Sequence, residues 1–186
     1  MKKKIVKKIP EETEAEDKRQ SISLEERDAF RRKLFKVDKH IKGVHEAIAT
    51  LCERIIDTAE TEEDLDFAKK LLQRGYSHDL SKFTGIEWES LNAESEKELL
   101  HIAMRQHHQM NDHHAEHFIG GIREMNNLQI AEMVADLKAR SSEFGSDLRT
   151  YIKEELTERL GFTVNSKVYK TIKKFVDLLL DDQFKK

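Results

Sequence analysis

One proline and seven glycines are all that punctuate a chain of 186 residues. These two residue types are the main local signals for turns, so their scarcity favours long helices over a sheet of many short strands. The apolar residues agree. Phe30, Leu34, Val37, Ile41, Val44, Ile48, Leu51 and Ile55 step by three or four, as the buried stripe of one long amphipathic helix requires. Ahead of it, Ser23-Leu24-Glu25-Glu26 has the form of a capping box, with Ser23 as cap and Glu26 reaching back.

The same reading extends along the chain. Thr61 is expected to start a second helix, with acidic residues in its first turn and Leu65, Phe67, Ala68, Leu71 and Leu72 on its buried side. Gly75 and Tyr76 are expected to loosen its end. Helical segments are predicted from Thr84 to about Leu91 and from Glu94 to about His108. Asn127 is expected to cap a helix carrying Leu128, Ile130, Ala131, Met133, Val134 and Leu137. Two more helices are predicted around 147–160 and 165–182, with Gly161 ending the first. No segment alternates as a strand should, so the fold class is all-α. Residues 1–22, almost wholly charged or polar, read as a solvated tail. Residues 23–186 are long enough for a single helical domain with a proper core.

A formal net charge of −3 gives no basic excess and argues against a nucleic-acid partner. The single Cys52 excludes an internal disulfide framework and suits a reducing compartment. No apolar run approaches the roughly 18 residues of a membrane span. The expectation is a cytoplasmic protein with no membrane partner, and exposed helix faces would suit a homodimer.

One feature is out of proportion. Of nine histidines, six lie between His101 and His117. Core packing does not call for such clustering. Imidazoles this close cannot all be charged cheaply, and a bound cation favours their neutral form; the alternative is a solvated polar loop. A turn at Asn111-Asp112 would fold His107 back towards His113-His114. Upstream, the adjacent His78-Asp79 follows a helix, and a bend there would let both side chains aim at one ion. Asp136 lies in the largely apolar run 131–137 and needs a partner, either a metal or an arginine. His40 and His45 are five apart on one helix, about 140° around its axis, so they cannot share a site.

In order, His40, His78-Asp79, His107, His113-His114 and Asp136 resemble the pattern of the HD superfamily, all-helical metal-dependent phosphohydrolases. His78-Asp79-Leu80-Ser81-Lys82 is similar to the His-Asp-x-Gly-Lys run of its HD-GYP phosphodiesterases, with Ser81 in place of Gly. A closer resemblance is to small HD-like proteins of bacteria and phages. It is carried by 40–44, 78–83, 111–118 and 132–139. Lys82 stands where some HD hydrolases have acidic residues that assist water attack.

This resemblance implies an HD-like helical bundle with one or two divalent metals (Mn, Fe, Zn, Ni, Co or Mg). His40, His78, Asp79 and Asp136 would hold the first. Asp79 would bridge to a second held by His107, His113 and His114, with His108 an alternative to His107 and His45 to His40. Asp79 and Lys82 would be the catalytic residues, Lys82 facing a phosphate oxygen with help from Arg105 or Lys138. Asn111, Asp112 and Glu116 would orient the imidazoles. The implied activity is hydrolysis of a nucleotide or other small phosphate ester. The alternatives are a non-catalytic metal-binding HD fold or a diiron oxygenase of HD type.

Overall fold

Ser23 caps the first helix as its sequence requires. Its hydroxyl accepts from the Glu26 amide at 3.2 Å, and the Glu26 carboxylate accepts from the Ser23 amide at 2.7 Å. The helix that follows, α1 (Leu24–Asp57), is 34 residues long. A computed structural model describes residues 22–91 and 97–180, and these fold as one all-helical domain. The charged segment read as a tail lies, but for Ile22, outside the described residues.

Along α1 the stripe is buried at Val37, Val44, Ile48, Leu51 and Ile55, with Ile41 half-buried between them. Its first member departs from the expectation. Phe30 is 56% exposed and packs edge-on against Trp88 at 5.3 Å, because the N-terminal turns of α1 run past the core. The next helix, α2 (Glu62–Ser77), begins with a capping box between Thr61 and Asp64. Gly75 does not loosen it. The residue is helical and buried, and a Cβ there would stand 3.2 Å from Ile48, so glycine lets α2 lie close on α1.

Short elements then carry the chain across one end of the bundle. They are a 3₁₀ turn (Leu80–Phe83), α3 (Gly85–Ser90) and α4 (Lys97–Met110), followed by 3₁₀ turns at Ala115–His117 and Gly121–Glu124. The central helix is α5 (Asn127–Phe144), which packs on α1, α2 and α8. Its cap is Asn126, one residue before the expected Asn127, and Asn126 accepts from the amides of Leu128 and Gln129. Buried residues run without a break from Gln129 to Asp136, so this helix is enclosed on most sides. The last segments are α6 (Leu148–Tyr151), a π-helical turn (Ile152–Leu156), α7 (Thr157–Leu160) and α8 (Lys167–Leu180); Gly161, at φ 64°, stops α7 as expected.

One crossing positions the site. A Cβ on Gly43 of α1 would lie 3.3 Å from the Ala139 Cβ of α5. The two helices therefore approach at small residues. One turn before each, His40 and Asp136 meet, with Nε2 and Oδ1 3.3 Å apart. Among the described residues, no helix is long and apolar enough to cross a membrane.

Candidate metal centre

Helix α2 ends at Ser77, and the chain turns sharply over the next two residues. His78 is extended (φ −55°, ψ 126°), and Asp79 is left-handed (φ 55°, ψ 22°). Asp79 is the one non-glycine residue with positive φ among those described. Asp tolerates this region better than most residues, but it still costs energy that the surrounding packing must offset. The result is that two consecutive side chains point into the same space. Both are almost fully buried.

The two oxygens of Asp79 face different groups. Oδ2 lies 3.2 Å from His40 Nε2 and 3.3 Å from His78 Nε2, while Oδ1 lies 3.4 Å from His107 Nε2 and 3.5 Å from His113 Nε2. His114 closes the second group, its Nε2 3.0 Å from His107 Nε2. Asp136 closes the first. Helix α4 delivers His107 in its last turn. A turn in which the His114 amide donates to the Asn111 carbonyl at 3.1 Å brings His113 and His114 back beside it.

The sequence thus places all seven expected ligands in one buried cluster with two lobes. Asp79, His107, His113 and His114 form one lobe, and His40, His78 and Asp136 the other. Within each lobe the donor atoms lie within 4.8 Å of one another. Donors about 2.1 Å from a tetrahedral ion stand about 3.4 Å apart, which is the spacing around Asp79.

Polar satisfaction provides an independent test of fit. His78 Nε2, Asp79 Oδ1, His113 Nε2 and Asp136 Oδ1 are buried without a hydrogen-bond partner. Such atoms are rare and costly in native interiors. Here they converge, and imidazole nitrogen with carboxylate oxygen is the donor set of divalent transition metals. The residues fit a cation.

The far side of four of the five rings is also held. His40 Nδ1 lies 3.2 Å from Glu143, His78 Nδ1 2.9 Å from Glu132 and His107 Nδ1 2.8 Å from Glu87. Glu132 also lies 3.4 Å from His113 Nδ1, so one carboxylate touches a ring of each lobe. Carboxylates in this position fix tautomer and orientation, leaving Nε2 for the metal. Arg74 bonds both Glu132 and Asp112, and Gln129 donates to Asp112 at 2.8 Å, so the loop bearing His113 and His114 is tied to α2 and α5.

Electrostatics follow this arrangement. Burial disfavours the His78 imidazolium, but the carboxylates of Asp79 and Glu132 beside it outweigh this and raise the pKa to about 9. His40 is raised for the same kind of reason, against its own burial, by Asp136 and Asp79. Burial lowers His107 to about 3; burial, with repulsion from neighbouring histidines, lowers His114 to about 2. Burial works against the Asp79 carboxylate, yet the neighbouring His40, His78 and Lys82 hold it well below the ordinary range. Glu132, opposed by burial, is brought to about 2 by His113, His78 and Arg74.

Other expectations divide. His45 lies apart from the cluster, its ring 4.8 Å from that of Tyr76. His108 stacks near His107 and His114 but belongs to neither lobe. Asn111 touches His107, whereas Asp112 acts through Arg74, and Glu116 is exposed beside Arg105 in a separate hollow. Lys138 bonds Ser142 on another face. Lys82 does reach the cluster, with its ammonium on Asp79 Oδ2. The residues missed are Glu87, Glu132 and Glu143. Glu132 carried a usable signal: it stands four before Asp136 in an apolar run, on the same helix face.

Four members of the cluster, His107, His113, His114 and Asp136, line a cleft of about 520 Å³. Lys36, Lys82, Arg140 and Arg159 line it, rather than Arg105 or Lys138. Fold and site together define an all-helical protein with a histidine- and carboxylate-rich cluster suited to metal. Residues 29–182 match DUF5662, described as a family of unknown function, and the chain belongs to that family. No curated protein and no solved structure matches.

Proposed function

We propose that this protein is a metal-dependent phosphohydrolase of HD type, acting on a nucleotide or other small phosphate ester. The observation that carries the reading is the position of Asp79. Its two oxygens face two histidine lobes, of which His107, His113, His114 and Asp136 line a cleft that Lys36, Lys82, Arg140 and Arg159 also line. That arrangement suits a bridging carboxylate between two ions. The resemblance of the His78-Asp79-Leu80-Ser81-Lys82 run to HD enzymes supports the same chemistry.

His40, His78, Asp136 and Asp79 Oδ2 would hold one divalent ion, and Asp79 Oδ1, His107, His113 and His114 a second. When bound, such ions lower the pKa of water and neutralise charge on a phosphoryl oxygen. The chain's own groups do the rest. Glu87, Glu132 and Glu143 fix the rings from behind. Lys82 stands beside Asp79 and offers its ammonium to a phosphate oxygen as charge builds there. Arg140 and Arg159 favour entry of an anion. In the net reaction a bond forms between water oxygen and phosphorus, the ester P–O bond breaks, and a proton ends on the released alcohol.

The test is phosphate release from a panel of phosphate esters by protein loaded with Mn²⁺, Fe²⁺, Co²⁺ or Zn²⁺. Wild type is expected to turn over at least one ester. His78→Ala and Asp79→Asn are expected to lose that turnover while retaining a helical circular dichroism spectrum. Hydrolysis of none of the panel with any metal would overturn the reading. The three imidazoles around Asp79 Oδ1 also favour a second one, a diiron oxygenase, since a histidine-rich shell suits iron. Oxygen uptake by the Fe²⁺-loaded protein, without phosphate release, would bring it forward.

A further inference from the structure

The cleft above the cluster is not the small, wet hollow that a compact hydrophilic phosphate would need. Three large apolar side chains that line it, Leu100, Met104 and Phe144, are left substantially exposed, and Phe144 is 76% exposed. Leu137, Met133 and Tyr151 continue the same wall inward. Apolar surface gathered around a concavity, with a few convergent polar groups, is the general form of a small-molecule site, and about 520 Å³ lies within the usual range.

The cleft lining carries four cations, Lys36, Lys82, Arg140 and Arg159, against two acids. Its lining includes two acidic residues, Glu87 and Asp136, and each already faces a histidine of the cluster. Two of the cations are differently placed. Arg159 donates to the uncharged Tyr151 hydroxyl at 3.3 Å, and Arg140 reaches Glu143 at 3.2 Å with its side chain still 42% exposed. An occupant of the cleft therefore meets positive charge, apolar surface and imidazoles together.

We infer that the cleft selects a phosphate ester whose alcohol is bulky and apolar, with Phe144 and Leu137 covering the alcohol and Arg140 and Arg159 attracting the anion. The chemistry of this inference rests on the phosphohydrolase reading; the shape and charge of the cleft do not. Compact polar esters such as glycerol phosphate leave the wall uncovered and lose the corresponding hydrophobic contribution.

Binding separates the two ideas. The Mn²⁺-loaded full-length protein is titrated calorimetrically with 1-naphthylmethylphosphonate and with methylphosphonate, neither of which has an ester to cleave. The naphthyl compound is expected to bind at least tenfold more tightly. Phe144→Ala, at a 76% exposed position, is expected to shrink that ratio to threefold or less. The double variant Arg140→Ala/Arg159→Ala is expected to weaken the naphthyl compound at least fivefold, whereas Lys138→Ala on another face changes nothing. Equal binding of the two phosphonates, or a ratio indifferent to Phe144→Ala, overturns the inference. Turnover of 1-naphthyl phosphate is then compared with that of glycerol 3-phosphate. Equal kcat/KM for both would sink the cleft assignment and leave the phosphohydrolase reading intact. Hydrolysis of neither, with the binding preference preserved, would do the reverse.

Discussion

Asp79 shows why the choice of replacement matters at this site. Its φ of 55° is held by its neighbours, and alanine there is expected to add about 1–2 kcal/mol of backbone strain to the loss of the carboxylate. Asparagine tolerates the left-handed region, so Asp79→Asn reports mainly on charge. Glu132 is the second informative residue. Glu132→Gln keeps its shape but leaves His78, His113 and Arg74 without their shared anion. Metal affinity measured by competition with a chelator is expected to fall about 10–100-fold. Glu116→Gln, at an exposed position, is expected to leave it unchanged. His78 sets a pH signature. Its pKa in the metal-free fold is about 9 against an ordinary 6.5. The stability it contributes is therefore complete below about pH 6.5 and lost as pH rises through about 9. Glu132 has the opposite sense: its contribution is present above about 4.5 and lost as pH falls towards about 2. A metal needs neutral imidazole, and the pKa values of His78 and His40 are both raised, so loading the protein near pH 7.5 is expected to release protons, measurable in weak buffer. Loading without proton release would contradict the assignment of His78 as a ligand.

The elements explain what could be read in advance and what could not. The period of apolar residues along α1 and the capping residues Ser23 and Thr61 are local signals, and each reads directly as helix. The pairing of His78 with Asp79 is local too, and the cluster of histidines after His101 stands out in any inspection of the chain. By contrast, Glu143 and Glu87 look like ordinary solvated helix carboxylates. Only the packing of α5 and α3 beside α1 and α4 turns them towards imidazoles. Phe30 fits the α1 period, but period alone does not tell where a long helix leaves the core. The crossing of α1 and α5 is likewise tertiary. Gly43→Ala gains helix propensity of up to about 1 kcal/mol. It also sets a methyl 3.3 Å from the Ala139 Cβ, which cannot move without moving α5. The expectation is little change in Tm for the metal-free protein but weaker metal binding, as His40 and Asp136 are pushed apart. Restoration by Ala139→Gly in the same chain would show that the crossing distance is the cause, and unaltered affinity in Gly43→Ala would refute it.

At the level of the whole molecule, the histidine and carboxylate cluster joins α1, the end of α2, the end of α4 with its following turn, and α5. A ligand that binds only the folded form stabilises it by about 2.7 kcal/mol at a hundredfold excess over its Kd. Thermal unfolding is therefore expected to shift upward on titration with a divalent metal and to return on chelation. Asp79→Asn should show a much smaller shift. A Tm indifferent to every metal offered would count against the centre as a whole. Cys52 offers a way to watch the same event in time. It is the one cysteine of the chain, buried between α1 and α2, where its thiol donates to the Ala68 carbonyl and burial raises its pKa to about 11. A shielded, protonated sulfur does not meet an alkylating reagent until those helices separate. The native sequence thus contains its own single-site clock for breathing of the bundle, and the tempo of its labelling reads how firmly the helices are clasped.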